Sequence, residues 1–309
     1  MLQTLSIIAP LFLLIGLGFA ARWGGLLERD QVRGIGSFVI HFALPALLFK
    51  SLAERPLQEI LDFRYLLAYS LGSLAVFAFG FAVARLRHAS LESAAIGAMG
   101  MSVSNSGFVG YPVAVMVIGP PAALAMTLGI LVESLVMMPL ALALADLGRQ
   151  SGGAPAQLAL ETLRRLAKNP LILAIAAGLL CALAELRLPA ELLRSIDMLS
   201  QASAPAALFV IGASLYGLRV RGMLADAGQI AVAKLLLHPL GVALALALVP
   251  GIAPTMKIAG VLFASAPMFS IYPLLGMRYG QEDRCVAALV MTTALSFFSI
   301  ALVLALRLP

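Results

Sequence analysis

The sequence predicts an all-α membrane protein of about ten transmembrane helices, arranged as two inverted five-helix repeats with one broken helix in each. Three observations predict this fold. The 309 residues are 61% hydrophobic and only 12% charged, whereas a soluble domain carries about 25% charged residues. The apolar residues form segments long enough to cross a bilayer, and short motifs recur in the same order in both halves of the chain. Lipid is therefore the expected solvent, and the plasma (cell inner) membrane the expected location.

Ten apolar segments, numbered 1 to 10 in chain order, account for the predicted helices. They cover residues 4–23, 35–53, 64–84, 91–118, 122–146, 169–186, 197–217, 229–249, 255–280 and 285–307. A helix needs about 20 residues to span the hydrocarbon core, and every backbone polar group must be paired there. A signal peptide places basic residues before its apolar core, but the first basic residue here, Arg22, follows segment 1. We therefore expect segment 1 to be retained as a helix.

The Lys and Arg residues predict the orientation of the chain. They are concentrated in the connections that follow odd-numbered segments, such as those with Arg22, Arg85 and Arg164. Cytoplasmic loops carry an excess of these residues, so both termini are predicted to be non-cytoplasmic. The longest connection, residues 148–168, is then cytoplasmic, and its second part, residues 156–168, is predicted to form a short interfacial helix.

The basic residues do not form a patch with interleaved aromatic residues, so a nucleic-acid partner is not expected. The two cysteines, Cys181 and Cys285, lie in or beside apolar stretches and have no metal-ligand spacing. We expect no metal site and no cofactor, and we leave proton or sodium coupling open.

Motifs repeated at a nearly constant offset indicate an internal duplication. The matching stretches are residues 10–15 and 170–175, 45–49 and 205–209, and 108–112 and 269–273. The first two pairs are offset by 160 residues and the third by 161, and Gly18 likewise matches Gly178. Residues 1–147 and 169–309 then form two repeats of five segments. Because five is an odd number, the two repeats must have opposite orientations in the membrane, as in many secondary transporters.

Segments 4 and 9 contain sequence that is poorly suited to a continuous helix. A proline inside a helix costs about 3 kcal/mol, and such sequence is tolerated at bilayer depth where the chain breaks beside a protein-lined cavity. The second half of a broken helix presents free N–H groups and a partial positive charge, which predicts an anion site where the two breaks cross. The alternative is a pair of proline kinks relieved by serine hydroxyl groups. The predicted substrate-binding residues are Ser104, Asn105, Ser106, Gly107, Tyr111, Pro112, Pro267, Ser270, Tyr272, Pro273 and, from segment 7, Gln201.

Ionisable residues inside the segments are candidates for ion coupling. Glu133 lies near the middle of segment 5, where a carboxylate costs at least about 2.5–3.5 kcal/mol and should face the protein interior. It is either a proton or cation coupling site or a structural acid bonded to a hydroxyl of segment 10, such as that of Thr292, Thr293 or Ser296. His238 precedes Pro239 and is either a coupling residue or a donor to the carbonyl that the proline frees. Lys234 is predicted to snorkel to the cytoplasmic surface.

At these residues the sequence resembles the auxin efflux carrier family, the PIN-like transporters that include bacterial malate and malonate permeases. The stretches that carry the resemblance are residues 43–49, 105–112, 168–170, 204–215 and 266–280. The family pattern includes an asparagine near the second break, but this chain has Ala266 and Pro267 there. A family role for paired asparagines therefore rests on Asn105 alone. The long cytoplasmic loop of the plant carriers is missing, so the chain is similar to the short bacterial form.

The resemblance implies a ten-helix inverted-repeat fold with two crossover helices. Segments 1, 2, 6 and 7 would form a scaffold that pairs as a homodimer, and segments 3–5 and 8–10 a mobile transport domain that moves in an elevator-like manner. The implied activity is secondary transport of small organic anions, mono- or dicarboxylates such as malate or malonate, by alternating access.

Other function classes fit the sequence less well. An intramembrane enzyme is disfavoured because HExxH, GxSxG and paired aspartates at membrane depth are missing. A channel does not require two symmetric broken helices. The main alternative is a sodium-coupled organic-anion symporter of the bile-acid transporter type, in which serines of the first break would bind the ion. Sodium-dependent uptake would favour that alternative.

Overall fold

The computed structural model describes residues 2–53, 62–148, 164, 167–186, 188–217, 224–277 and 279–306. These residues are mainly helical and contain no β-strand; an isolated antiparallel bridge joins Ser104 and Met268. The helices are α1 (Leu2–Trp23), α2 (Arg29–Ala53), α3 (Phe63–Leu86), α4 (Leu91–Ser102), α5 (Ser106–Ile118), α6 (Pro121–Gly148), α7 (Pro170–Leu183), α8 (Ala190–Leu215), α9 (Ala225–Leu248), α10 (Pro254–Ser265), α11 (Tyr272–Met277) and α12 (Glu282–Leu306). The predicted interfacial helix over residues 156–168 falls largely outside the described residues.

Six of the described helices are long and apolar enough to cross a membrane, namely α2, α3, α6, α8, α9 and α12. The protein is therefore a multi-pass membrane protein. The shorter helices α4 and α5 together cover segment 4, and α10 and α11 together cover segment 9. The helical structure thus stops inside both segments in which the sequence predicted a break.

Four of the helices contain a five-residue π turn that ends two residues before a proline. The turns are Val39–Ala43 before Pro45, Ser106–Gly110 before Pro112, Glu133–Met137 before Pro139 and Ala233–Leu237 before Pro239. A proline has no N–H and its ring clashes with the carbonyl group four residues earlier. Widening the preceding turn relieves that clash, and π turns of this kind are frequent at functional sites.

The chain packs as two compact units, and the first comprises Met1–Phe63, Gly107–Thr127 and Arg164–Leu218. In this unit α1 packs on α8, and the second half of α2 packs on both α7 and α8. Residues Gly107–Thr127 belong to this unit by packing, whereas the predicted scaffold and transport domains assign them to the transport domain. That domain assignment stays a prediction.

Two glycines let the helices of the first unit approach each other closely. A methyl group on Gly18 would overlap the backbone carbonyl of Phe209, and a methyl group on Gly178 would overlap the backbone carbonyl of Phe49. Gly18 and Gly178 match each other in the internal repeat, and so do Phe49 and Phe209. The α1–α8 contact and the α2–α7 contact therefore use the same residues of the repeat.

The second unit comprises Arg64–Ser106, Leu128–Leu163 and Arg219–Pro309. In it α4 packs on the last part of α6, while α9 packs on α10 and α12. Helices α3 and α9 cross at Gly72 and Gly241, where a methyl group on either glycine would press on the other helix. This unit contains the pairing between the two breaks.

Candidate functional site

The two breaks pair with each other through their backbones in the second unit. Beyond the ends of α4 and α10, the chain forms the antiparallel bridge between Ser104 and Met268. The Asn105 N–H donates to the Pro267 carbonyl at 2.8 Å, and the Asn105 side-chain amide donates to Ser270 Oγ at 2.9 Å. Unwound backbone must find partners inside a membrane protein, and here each break supplies partners to the other.

Glu133 lies against the first break. It is the first residue of the π turn in α6 and is only 6% exposed. Its Oε1 accepts the Ser104 N–H at 3.1 Å and the Ser106 hydroxyl at 3.0 Å, and the Tyr69 hydroxyl lies 3.5 Å away. The carboxylate of the protein itself therefore sits at the N-terminal end of α5, where a negative charge is favoured.

The alternative partners predicted for Glu133 are engaged elsewhere. Thr292 and Thr293 donate to the carbonyl groups of Ala288 and Leu289, and Ser296 donates to that of Thr293. The alternative in which a hydroxyl group of segment 10 satisfies Glu133 is therefore wrong. A hydroxyl inside a helix readily bonds the carbonyl one turn earlier, and this local bond takes precedence here.

Lys234 bonds the side chain of Ser104 and is fully buried. Its Nζ is 2.8 Å from Ser104 Oγ, 2.8 Å from the Ala264 carbonyl oxygen and 2.9 Å from His238 Nδ1. The prediction that this lysine would snorkel to the surface is wrong, because two acceptors at the breaks and one on its own helix hold the amino group inside the protein. Segment periodicity could not reveal Ser104 and Ala264, since they lie 130 and 30 residues away along the chain.

His238 links Lys234 to α3. Its Nε2 lies 3.0 Å from Ser73 Oγ, while its Nδ1 faces Nζ of Lys234. With Lys234 as an ammonium group, which cannot accept a hydrogen bond, Nδ1 is the acceptor and the ring proton lies on Nε2, which then donates to Ser73. Ser73 was not singled out by the sequence, where it is one of many serines.

The carbonyl that Pro239 frees is not bonded by His238. The proline follows Leu235 by four residues, and the Leu235 carbonyl accepts the Ser299 hydroxyl from α12 at 2.9 Å. The prediction that His238 would donate to this carbonyl is therefore wrong. Ser299 satisfies the freed carbonyl and leaves both ring nitrogens of His238 to the buried network.

The second break is anchored by Tyr272. This residue is fully buried, its hydroxyl donates to the Ile96 carbonyl at 3.0 Å, and its ring lies directly against Gly100 of α4. Pro273 follows it in α11, which has six residues. Ser270 is exposed, and its hydroxyl oxygen accepts the hydrogen bond from the Asn105 side chain. Pro267 is buried.

The remaining predicted site residues belong to the first unit. Gly107 lies against the Leu44 side chain, and Tyr111 and Pro112 are buried at the start of the regular part of α5. Gln201 is exposed, and its amide donates to Asp197 at 2.8 Å. The structure thus brings Ser104, Asn105, Ser106, Pro267, Ser270, Glu133 and His238 together in the second unit, and their roles in binding and coupling stay predictions.

The described residues contain no group of three or more His, Cys, Asp or Glu side chains that could hold a metal ion. The oxygen atoms that the breaks offer to a cation include Ser104 Oγ and the Ala264 carbonyl, and both are bonded to Lys234.

Comparison with known proteins identifies the class of protein to which this arrangement belongs. Residues 4–304 match the family described as Membrane transport protein. The chain is also 32% identical over 300 residues to a protein of Rhizobium meliloti (strain 1021) named "Putative malonate transporter", a match that covers 96% of this chain and 93% of the relative. The match to the family includes both breaks and Glu133, Lys234 and His238. This chain is a membrane transporter of the auxin efflux carrier (PIN-like) family, and it is not an enzyme.

Proposed function

We propose that this protein is a secondary active transporter of small organic anions, mono- or dicarboxylates such as malonate or malate. The name of its relative supports the substrate class, because malonate is a small dicarboxylate. The observation that carries the mechanism is the pairing of the two breaks at Ser104 and Met268, beside a network of buried charged groups. Broken helices that meet inside the protein are typical of secondary transporters.

The proposed fold is a ten-helix inverted repeat. The equivalent contacts of Gly18 with Phe209 and of Gly178 with Phe49 support it, because a two-fold relation between the repeats exchanges one contact for the other. Segments 1, 2, 6 and 7 would form a scaffold and the homodimer interface. The helices around the breaks would move in an elevator-like manner to give alternating access.

The proposed substrate site lies at the first break, close to Asn105. Its side-chain amide donates to Ser270, an exposed residue whose own hydroxyl hydrogen can still donate, and Ser106, which donates to Glu133, lies at the start of α5. Amide and hydroxyl donors near a helix N-terminus suit a carboxylate group. Glu133 and His238, both within the buried network, are the proposed coupling residues.

The test of the site is uptake of labelled malonate and malate into proteoliposomes under imposed potential, proton and sodium gradients. We expect uptake by wild-type protein and a loss of about tenfold or more in Asn105→Ala, because one buried hydrogen-bonding group contributes about 1–3 kcal/mol. The gradient that drives uptake identifies the coupling ion, and a strict need for sodium would favour the bile-acid-type alternative.

Asn169→Ala is the matched control. Asn169 caps α7 through a bond of 2.9 Å from the Leu171 N–H, so its replacement costs helix stability without touching the breaks. Uptake by this variant should stay close to that of wild type. Folded wild-type protein that moves neither anion under any gradient would contradict the proposed substrate class, and undiminished uptake by Asn105→Ala would contradict the proposed site.

A further inference from the structure

A basic cavity lies at one end of the first unit, and we propose that it binds the phosphate group of an anionic phospholipid. The cavity lies where α1 ends, α2 begins and α8 ends. Its volume of about 460 Å³ falls within the range of about 300–1,000 Å³ that is typical of small-molecule sites. The inference does not depend on which substrate is transported, because it concerns the lipid around the protein.

Three arginines line the cavity, and none of its described lining residues is acidic. Arg22 comes from the end of α1, while Arg29 and Arg33 lie one turn apart at the start of α2. A guanidinium group presents a planar fork of N–H donors that matches the oxygens of a phosphate group. Three such groups around one cavity favour a phosphate ligand over a neutral one.

The positions of Arg29 and Arg33 are unfavourable for the helix by itself. Like charges four residues apart destabilise a helix, and the N-terminal end of a helix already carries a partial positive charge. Arg33 pairs with Asp30 at 3.1 Å, but both side chains are largely exposed, and exposed ion pairs contribute little to stability. A bound anion would offset the repulsion between the arginines, so their placement fits ligand binding better than it fits the fold.

Arg22 is held in position for such a ligand. Its Nη1 donates to the Leu27 carbonyl at 2.6 Å, and its guanidinium carbon lies 5.5 Å from the centre of the Tyr216 ring. The Tyr216 ring in turn makes an edge-to-face contact with the ring of Phe19. A guanidinium group has several N–H donors, so the bond to Leu27 does not saturate it. A side chain that is already fixed loses little conformational freedom when it binds a ligand.

The floor of the cavity is apolar. Val32, Gly36 and Ala213 are buried there, and Val210 is half-buried. The two helices are close at this point, since a methyl group on Gly36 would lie 3.5 Å from Val210 Cγ1. A free phosphate ion gains nothing from apolar surface, whereas the glycerol and acyl carbons of a phospholipid do. Arginines above an apolar floor therefore match a lipid better than they match a soluble anion.

Residues next to the cavity indicate that it lies at the level of the lipid headgroups. Trp23, at the end of α1, is 72% exposed, and Leu13 and Leu17 of the same helix are exposed as well. Tryptophan is enriched at the boundary between membrane and water. The contact of Arg22 with Tyr216 also joins the ends of segments 1 and 7, which are both predicted to be cytoplasmic. Basic pockets between helices on that side bind the headgroups of anionic lipids.

The first test follows thermal unfolding of the purified protein in an uncharged detergent as phosphatidylglycerol is added. A ligand that binds only the folded state raises the unfolding temperature. Phosphatidylglycerol should therefore raise that of wild type, and phosphatidylcholine should not. Arg29→Gln/Arg33→Gln should need about tenfold more phosphatidylglycerol for the same rise, because it loses charge-assisted bonds to the phosphate. Arg29→Gln alone serves the same purpose if the double variant does not fold.

Arg85→Gln/Arg87→Gln is the matched control. It removes two exposed arginines at the C-terminal end of α3, on the same predicted side of the membrane. Each variant is compared with its own unfolding temperature in the absence of lipid. The control should respond to phosphatidylglycerol at the same concentrations as wild type, which separates the cavity from a general attraction between anionic lipid and a chain of net charge +6.

Two further measurements distinguish a lipid from a soluble phosphate ester. Glycerol 3-phosphate, which carries the phosphate without acyl chains, should leave the unfolding temperature of wild type unchanged. Trp23 is the single tryptophan of the chain and directly follows Arg22. In vesicles, brominated phosphatidylglycerol should quench its fluorescence more strongly than brominated phosphatidylcholine does, and Arg29→Gln/Arg33→Gln should lose this preference.

The inference is overturned if phosphatidylcholine or glycerol 3-phosphate raises the unfolding temperature of wild type as much as phosphatidylglycerol does. It is equally overturned if Arg29→Gln/Arg33→Gln responds to phosphatidylglycerol at the same concentrations as wild type. A control variant that loses its response together with Arg29→Gln/Arg33→Gln would show general charge attraction and would also overturn it.

Discussion

Ser104 joins the two buried charges of the second unit through different parts of one residue. Its N–H donates to Glu133 and its hydroxyl accepts from Lys234, so neither partner competes with the other. His238 and Ser73 extend the network to α3. Removing one member leaves the opposite charge buried without its counterpart, which is more costly than removing both.

The paired charges lead to a prediction at the residue scale. Glu133→Gln keeps the shape of the side chain and loses its charge, and Lys234→Met removes the ammonium group. Each single variant should lose stability, and the double variant should lose less than the sum, with a coupling of about 0.5–3 kcal/mol. Equilibrium unfolding in detergent measures the cycle.

Glu191→Gln is the control for the loss of a carboxylate, because Glu191 is exposed in the first turn of α8. Its stability should match that of wild type, and its effect should add to that of Lys234→Met without coupling. Additive losses in the Glu133→Gln and Lys234→Met cycle would show that the two charges do not stabilise each other.

At the scale of the elements, prolines and glycines determine where the helices widen, stop and touch. Prolines follow the π turns that contain Ser106, Glu133 and Lys234, so three members of the buried network lie in widened turns. Gly18 and Gly178 serve a different purpose, because they let pairs of helices approach to backbone contact.

The glycine contacts predict a matched pair of destabilised variants. Gly18→Ala and Gly178→Ala should each lower the free energy of unfolding by about 1–3 kcal/mol, since the added methyl group overlaps a backbone carbonyl. The two losses should be similar, because the two contacts are equivalent in the repeat.

Gly16→Ala is the control in the same helix α1. An added methyl group there meets nothing within 4 Å, so the better helix propensity of alanine should leave stability unchanged or raise it by up to about 1 kcal/mol. Thermal unfolding of the three variants tests the prediction. A Gly18→Ala variant as stable as Gly16→Ala would show that the close contact does not form.

At the scale of the whole molecule, the chain must be inserted with a definite orientation. The excess of Lys and Arg in the connections after odd-numbered segments predicts that both termini are non-cytoplasmic. Tags at either end should therefore react with a membrane-impermeant label in intact spheroplasts. A tag inserted into residues 148–168 should react only after lysis, and protection of either terminal tag would contradict the orientation.

The features that sequence could predict are those that lipid or local chemistry enforces. Apolar segments must be helical in a bilayer, and the sequence of segments 4 and 9 is poorly suited to a continuous helix, so the all-helical fold and the interruptions were predicted correctly. Pro112 lies inside α5, however, and not at the interruption itself. The burial of Lys234 was not predicted, because two of its acceptors lie 130 residues away at Ser104 and 30 residues away at Ala264. The alternative that paired Glu133 with a hydroxyl of segment 10 was wrong, because the serine and threonine hydroxyls there bond carbonyl groups of their own helix.

The spacing of the partners around the first break has a consequence for synthesis. Glu133 follows Ser104 by 29 residues, but Lys234 follows it by 130, and Ser270 follows Asn105 by 165. At about 5–20 residues per second, the ribosome needs roughly 10 to 30 s to reach Ser270 after Asn105. Glu133, the acceptor of the Ser104 N–H, is therefore synthesised well before the partners that the second half of the chain supplies to the first break.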